Sequence, residues 1–305
     1  MRPDAPDRYL VRHNRSLVVV AHSHDGMDWA GSVERLRRAD GLAADALRQV
    51  AARLVRPDTR VVIDVGSGAG GMGAAFAEAL PAGGTVVLVD TAPELLHTAT
   101  AHVRTVSGER VEVRAVQADA DADTLLDLVP RADLVFASFV VHHLPDQQRG
   151  VERLSALVRP RGRLALVESG LEQRCLPWDI GLGEPDLQGR LLAAHGKWFR
   201  QMRATMEGAV RLPVGWNRAL TDAGLVDVSS FSYLVDRPAP PTDEVRTAVL
   251  HWLAGIRDVA QPWISEPDLR VVGELLDEDA PHYVGRRDDL FLLTAHTVHV
   301  GTAPD

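Results

Sequence analysis

Residues 61–80 constrain this chain most. Val61-Val62-Ile63-Asp64-Val65 is an apolar run interrupted by one acid, Gly66-Ser67-Gly68-Ala69-Gly70-Gly71 follows at once, and an Ala-rich stretch, Ala74 to Leu80, comes next. The order is strand, tight turn, helix. Glycine reaches positive φ without a Cβ penalty and lets the backbone approach a ligand closely. The helix N-terminus adds unpaired N–H groups, and in open α/β sheets such turns lie at the strand carboxyl ends where ligands bind. Gly66, Gly68 and Gly71 satisfy the dinucleotide pattern G-x-G-x-x-G, while Gly66, Gly68 and Gly70 satisfy G-x-G-x-G. The turn alone leaves both ligand classes open.

The chain continues in the same rhythm. Thr85 to Asp90 reads as a buried strand ending in an acid 22 residues beyond Gly68. An acid there can accept both hydroxyls of a ribose, or cap the helix that begins at Pro93-Glu94. The two roles can coexist on Asp90 and Thr91. A third strand covers Val111 to Val116, with Asp119 and Ala120 just past it. A fourth covers Ala132 to Ser138 and runs into Phe139-Val140-Val141-His142-His143-Leu144-Pro145-Asp146. A helix end and turn, Leu157 to Gly162, prepare a fifth strand, Arg163 to Glu168. Near-continuous apolar strands alternating with helices predict a parallel sheet covered on both faces. Asp90, Asp119, Ser138 to His143 and Glu168 then share one sheet edge with the glycines.

This series resembles the class I S-adenosylmethionine-dependent methyltransferases, in their small-molecule branch. Asp64 to Gly70 is similar to the first motif, Ala132 to Ser138 to the fourth, Val141 to Asp146 to an H-H-L-x-D run, and Leu157 to Arg163 to an L-x-x-G-G turn in which Arg161 replaces a frequent glycine. The resemblance covers about residues 56–170. It implies S-adenosyl-L-methionine as cofactor, its methionine part over Gly66, Ser67, Gly68 and Gly70 with Asp64 near the amino group, its ribose on Asp90 and Thr91, its adenine by Asp119 and Ala120, and Ser138 at the fourth motif. It also implies a Rossmann-like α/β fold, a seven-stranded and mostly parallel sheet whose last strand is antiparallel. A small-molecule methyl acceptor follows as the partner. His142 and His143 are candidate bases for a hydroxyl or acidic carbon, since imidazole titrates near neutrality. Glu168 is a second candidate, dependent on burial to raise its pKa. Each His has a structural alternative, capping the next helix or packing under the cofactor. Two rival functions share these motifs: a member of the fold that binds the cofactor without transferring methyl, such as a cyclase or regulator, and an NAD(P)-dependent oxidoreductase. No Lys-Ser or Lys-Thr follows the glycines and no G-x-S-x-G is present, which argues against phosphate loops and hydrolase elbows.

The flanks divide into a helical N-terminal or lid segment (1–55), the core (56–170), a helical cap (171–215), and C-terminal strands with a helical insertion (216–305). Val33, Leu36, Ala43 or Ala44, Leu47 and Val50 recur at helical spacing, with Arg35, Arg37 and Arg38 read as a solvated face. His22-Ser23-His24-Asp25 is a poor match to a zinc run, and no metal is expected. In the cap, Leu187, Leu191, Trp198, Met202 and Met206 share one stripe suited to packing or to an apolar substrate, and leave a homodimer open. A helix is expected over Trp216 to Ala223, a strand over Val226 to Val235, a helix over 243–260 and a last strand from Leu290. His296 and His299 read as structural or exposed. The net charge of −9 argues against a nucleic-acid partner. Cys175 is the only cysteine and reads as buried filler. Leu17 to Ala21 is too short for a membrane span or signal core, so no membrane association and a cytoplasmic home are expected.

Overall fold

The structure is a computed structural model and describes residues 29–305. Leu17 to Ala21 and His22 to Asp25 lie outside the described residues.

Helix α1 (Trp29–Leu54) precedes a regular alternation: β1 (Val61–Val65), α2 (Gly71–Ala79), β2 (Thr85–Asp90), α3 (Pro93–Ser107), β3 (Glu112–Gln117), α4 (Leu125–Leu128), β4 (Ala132–Ser138), α5 (Gln147–Ala156) and β5 (Val158–Arg174). The remainder is α6 (Leu187–Thr205), α7 (Trp216–Asp222), β6 (Val226–Arg237), α8 (Asp243–Ala260), α9 (Glu266–Leu276) and β7 (Leu292–Thr302). The seven strands form one sheet in the order β3-β2-β1-β4-β5-β7-β6. The first five are parallel, and β7 runs antiparallel to both neighbours. The expected Rossmann-like sheet is therefore present. β7 inserts between β5 and β6, so the last strand in sequence is not the last in space.

The central strands β1, β2 and β4 read as apolar runs because both faces are covered. On one face α1, α2 and α3 bury Leu54, Phe76, Leu80 and Val103 against Val62, Leu88 and Phe136. On the other, α4, α5 and α7 bury Leu125, Leu154 and Leu220 against Ile63, Val135 and Leu166. The Phe76 and Phe136 rings meet edge to face at 5.2 Å, the arrangement their quadrupoles favour. A third cluster joins α6, α8 and α9 through Leu191, Val249, Leu253 and Val272. The cap and the C-terminal helices thus form one body beyond the sheet edge. α9 is a helix that the sequence reading lacks, although Ser265 caps it by accepting from Asp268 N–H and Pro267 stands in its first turn.

The fifth strand differs from expectation too. It continues past Glu168 to Arg174, pairing Gly170 with His296 and Arg174 with Leu293. Its length carries the chain from the sheet edge out to the cap. Arg161 does occupy a left-handed turn, φ 63°, the conformation for which glycine is the usual residue.

Candidate active site

The site lies at the carboxyl ends of β1 and β4, where the chain leaves adjacent strands in opposite senses. Such a switch point opens a crevice in a parallel sheet. Gly66, Gly68 and Gly70 all have positive φ, at 69°, 53° and 90°. Gly70 shows why no larger residue serves: an added Cβ would stand 2.7 Å from the Ala99 Cα. At Gly66 the same atom would meet the Val140 side chain at 2.3 Å, so the segment after β4 rests directly on the glycine turn.

Three carboxylates surround this turn. Asp90 accepts from Gly68 N–H (3.0 Å) through Oδ2 and from Ala92 N–H (3.1 Å) through Oδ1. It braces the loop rather than capping α3, whose N-cap is Ala92. Asp64 is 2% exposed, and its Oδ2 has no hydrogen-bond partner. Burial, aided by the charges of Asp40 and Asp90, pushes its pKa up to about 8. Asp40, from α1, accepts from Gly71 N–H (3.0 Å). Burial pushes its pKa up to about 6, against the Gly71 hydrogen bond and the nearby His102. Asp40 escaped the sequence reading, yet it stands on the apolar stripe of α1, four residues after Leu36 and three before Ala43. An acid at a core-facing helical position was the available signal.

Ser67 is buried and its Oγ has no hydrogen-bond partner. Thr91 is exposed beyond β2, its carbonyl accepting from Gln117. Asp119 is exposed and accepts from Asp121 N–H, with Ala120 buried beside it. Ser138 ends β4 opposite Val167. These residues meet at the same sheet edge as the glycines.

The segment after β4 holds the acid–base candidates. Glu168, 1% exposed, accepts from Val141 N–H (2.9 Å) and His142 N–H (3.3 Å) through Oε1. Its Oε2 lies 2.6 Å from His142 Nδ1. Val141–His143 is a single 3-10 turn, and Glu168 fixes both its backbone and its imidazole. With Nδ1–H donating to the carboxylate, Nε2 is left as the acceptor. The sequence reading took Glu168 and His142 as separate candidate bases; the fold places the carboxylate behind the imidazole. The His143 ring lies 4.0 Å from that of His142, tilted at 44° to it. Neither His caps the next helix, since Asp146 does so by accepting from Arg149 N–H. Arg203 of α6 clamps the same segment. It donates to the carbonyls of Leu144 (2.5 Å) and Pro145 (3.1 Å), and Val210 N–H reaches Pro145 O (3.0 Å).

Around His142 stands a set of rings. Phe139, with φ 55°, lies edge to face with His142 at 6.0 Å and with His296 at 4.9 Å. Phe199 lies 5.9 Å from His142, and Tyr233 lies 5.3 Å from His296. Sequence alone read His296 as structural or exposed, because its alignment with Phe139 depends on β7 entering between β5 and β6. Burial lowers the His296 pKa and pushes that of Tyr233 up to about 12, with the Asp40 charge adding to the latter. Both are neutral at physiological pH. Among the described residues no group of three or more His, Cys, Asp or Glu side chains is placed to hold a metal ion, and no helix is long and apolar enough to cross a membrane. Cys175 is buried, and desolvation pushes its thiol up to about 12.

Comparison with known proteins bears on the domain and the fold. A family model described as a methyltransferase domain matches residues 63–164. The trans-aconitate 2-methyltransferase of Methylobacterium radiotolerans is 31% identical over 155 residues, 47% of this chain and 55% of that protein. The chain therefore spans about half the length of that curated relative. Among solved structures, an O-methyltransferase family protein from Burkholderia thailandensis superposes with a TM-score of 0.51 at 15% identity, covering 94% of this chain and 64% of that one. Phosphoethanolamine N-methyltransferase 2 of Haemonchus contortus, in complex with S-adenosyl-L-methionine, gives 0.46 at 15% identity over 86% of this chain and 53% of that one. At 15% identity the first of these likenesses describes the fold alone.

Proposed function

We propose that residues 63–164, which match a methyltransferase-domain family model, act as a class I S-adenosylmethionine-dependent methyltransferase, and that the chain methylates a small organic molecule at a hydroxyl or acidic carbon, with His142 as the base and Glu168 as its positioning residue. The observation that carries the reading is the 2.6 Å contact between Glu168 Oε2 and His142 Nδ1, made on a segment that rests on the glycine turn.

The residues present suit the cofactor. Its sulfonium and ammonium groups are cations, and the turn is ringed by Asp40, Asp64 and Asp90. The buried Asp64 Oδ2 and Ser67 Oγ have no hydrogen-bond partner within the protein. Gly66, Ser67, Gly68 and Gly70 would hold the methionine part, Asp64 and Asp40 would offset its positive charge, Asp90 and Thr91 would take the ribose, Asp119 and Ala120 would border the adenine, and Ser138 would line the edge between them. When bound, this cofactor supplies an electrophilic methyl whose carbon–sulfur bond breaks as the acceptor's bond to carbon forms, the electron pair remaining on sulfur.

The chain's own work is alignment, exclusion of water and proton removal. Glu168 is buried and occupied by three donors, so it does not face the acceptor. It holds His142 in one tautomer and stabilises the imidazolium that forms when Nε2 takes the acceptor's proton. Arg203 and Val210 pin the carbonyls of the same segment from the cap. His143 supports the His142 ring from one side.

Calorimetric titration with S-adenosylmethionine, with NAD as control, followed by an assay for S-adenosylhomocysteine over an acceptor screen, tests the proposal. Expected are micromolar binding of the sulfonium compound alone, and turnover lost in His142→Ala with binding unchanged. Binding of NAD instead would move the chain to the oxidoreductases. Cofactor binding with full turnover in His142→Ala would remove the base.

A further inference from the structure

A chain of this size has ample core in which to hide aromatic rings, yet several large rings stand partly open to solvent in one place. Phe139 is 40% exposed, and Phe199, Tyr233, His296 and the ring of His142 are all partly exposed. They come from the end of β4, the 3-10 turn, α6, β6 and β7, so no single element's periodicity accounts for them. A partly open apolar wall with a few placed polar groups is the usual form of a small-ligand site. Phe139 also holds a positive φ of 55° while donating its N–H to Val167 O at 2.9 Å. A non-glycine residue persists there only where its surroundings fix it, and such residues concentrate at ligand sites.

The rings limit the acceptor by shape and by charge. Phe139 meets His142 and His296 edge to face, at interplanar angles of 79° and 81°, which leaves faces and edges suited to another planar ring. Among the described residues, Asp40 stands near enough to Tyr233 for its charge to act on that ring, and it is anionic when ionised. Arg203 places its guanidinium on the carbonyls of His142, Leu144 and Pro145. Among the described residues, a polycarboxylate acceptor would meet rings and the Asp40 charge here.

Acidity supplies an independent limit. A neutral imidazole is a base of ordinary pKa about 6.5 and a phenol an acid of about 10. The gap of a few units is crossed readily in a transition state, whereas an aliphatic alcohol is a far weaker acid. Given the His142–Glu168 base of the preceding section, on which this inference rests, we propose that the acceptor is a phenol: a planar aromatic hydroxyl compound held against Phe139, Phe199 and His296 with its oxygen at His142 Nε2. The phenolic proton passes to Nε2, the oxygen–methyl bond forms as the carbon–sulfur bond breaks, and the products are an aryl methyl ether, a neutral thioether and the imidazolium. Tyr233 remains a protonated donor beside His296.

The test has two arms that separate this proposal from the one it rests on. In the first, 2-naphthol binding to the full chain without cofactor is followed by ligand-observed NMR, with cyclohexanol and trans-aconitate as competitors. Expected is saturable naphthol binding, displaced by neither competitor, and weakened about tenfold in Phe139→Ala and in Phe199→Ala, the size of one lost aromatic contact. S-adenosylmethionine affinity in these variants stays within about twofold. Phe199 lies on a helix, so its variant avoids any change in the strained turn. In the second arm, kcat/KM by S-adenosylhomocysteine release exceeds that for cyclohexanol and trans-aconitate by at least about 100-fold for naphthol. Displacement of naphthol by trans-aconitate, naphthol binding unaffected by both variants, or faster turnover of a saturated alcohol would overturn the phenol. Turnover of naphthol unaffected by His142→Ala would overturn the base while leaving the binding result to stand.

Discussion

Replacing Asp40 by Asn keeps an oxygen able to accept the Gly71 amide and removes one charge from the acids around the glycine turn. The folded protein raises the Asp40 pKa from 3.8 to about 6. The unfolded chain therefore ionises first as pH rises, and the folded state loses stability until the folded group has ionised too. The loss is absent below about pH 4 and complete above about pH 7. One unit corresponds to about 1.4 kcal/mol, so linkage gives a cost of about 1–2 kcal/mol at pH 5, rising to about 3 kcal/mol at pH 8. Asp40→Asn should be more stable than the parent by these amounts. The gain at pH 8 is enlarged further by relief of Asp64, whose raised pKa includes the Asp40 charge. Urea unfolding of the cofactor-free protein, followed by circular dichroism at pH 5, 6.5 and 8, measures the difference. The same variant should gain less stability than the parent on adding S-adenosylmethionine, because the charge it lacks is one that a cationic ligand offsets. A variant less stable than the parent at pH 8, or a difference constant across the three pH values, would refute the electrostatic reasoning.

Three further outcomes follow from the geometry. Glu168→Gln should lower kcat by about 10²–10³-fold and flatten its acid limb, while the cofactor dissociation constant stays within about twofold, because the amide cannot stabilise the imidazolium; an unchanged pH–rate profile would deny the pairing. Gly70→Ala, with φ 90° and the Ala99 backbone 2.7 Å from the new methyl, should cost about 1–3 kcal/mol in the same unfolding assay. Arg203→Ala should raise KM for the acceptor several-fold and speed exchange of the Leu144 and Asp146 amides, as the cap's hold on the neighbouring carbonyls is lost; unaltered exchange would show the clamp to be idle.

Local sequence carries its information in periods and punctuation, and these were enough for the core. Val61 to Gly71 dictates a strand, a left-handed turn and a helix, since glycine alone takes those φ values without strain. Near-continuous apolar runs dictate buried parallel strands, and the spacing from Gly68 to Asp90 sets an acid at the next strand end. Arg161 was legible as the one awkward turn residue and indeed has positive φ. The pairings across elements were not legible. Glu168 is 26 residues from His142, and only the adjacency of β4 and β5, with Ser138 opposite Val167, brings carboxylate to imidazole. Asp40 reaches Gly71 only because α1 packs on α2. The rings at 139, 199, 233 and 296 meet because β7 enters antiparallel between β5 and β6, aligning His296 with Tyr233 and Gly170. A strand's residues determine that it is a strand. Its neighbours are set by which faces bury the most apolar surface together, and that choice belongs to the whole chain.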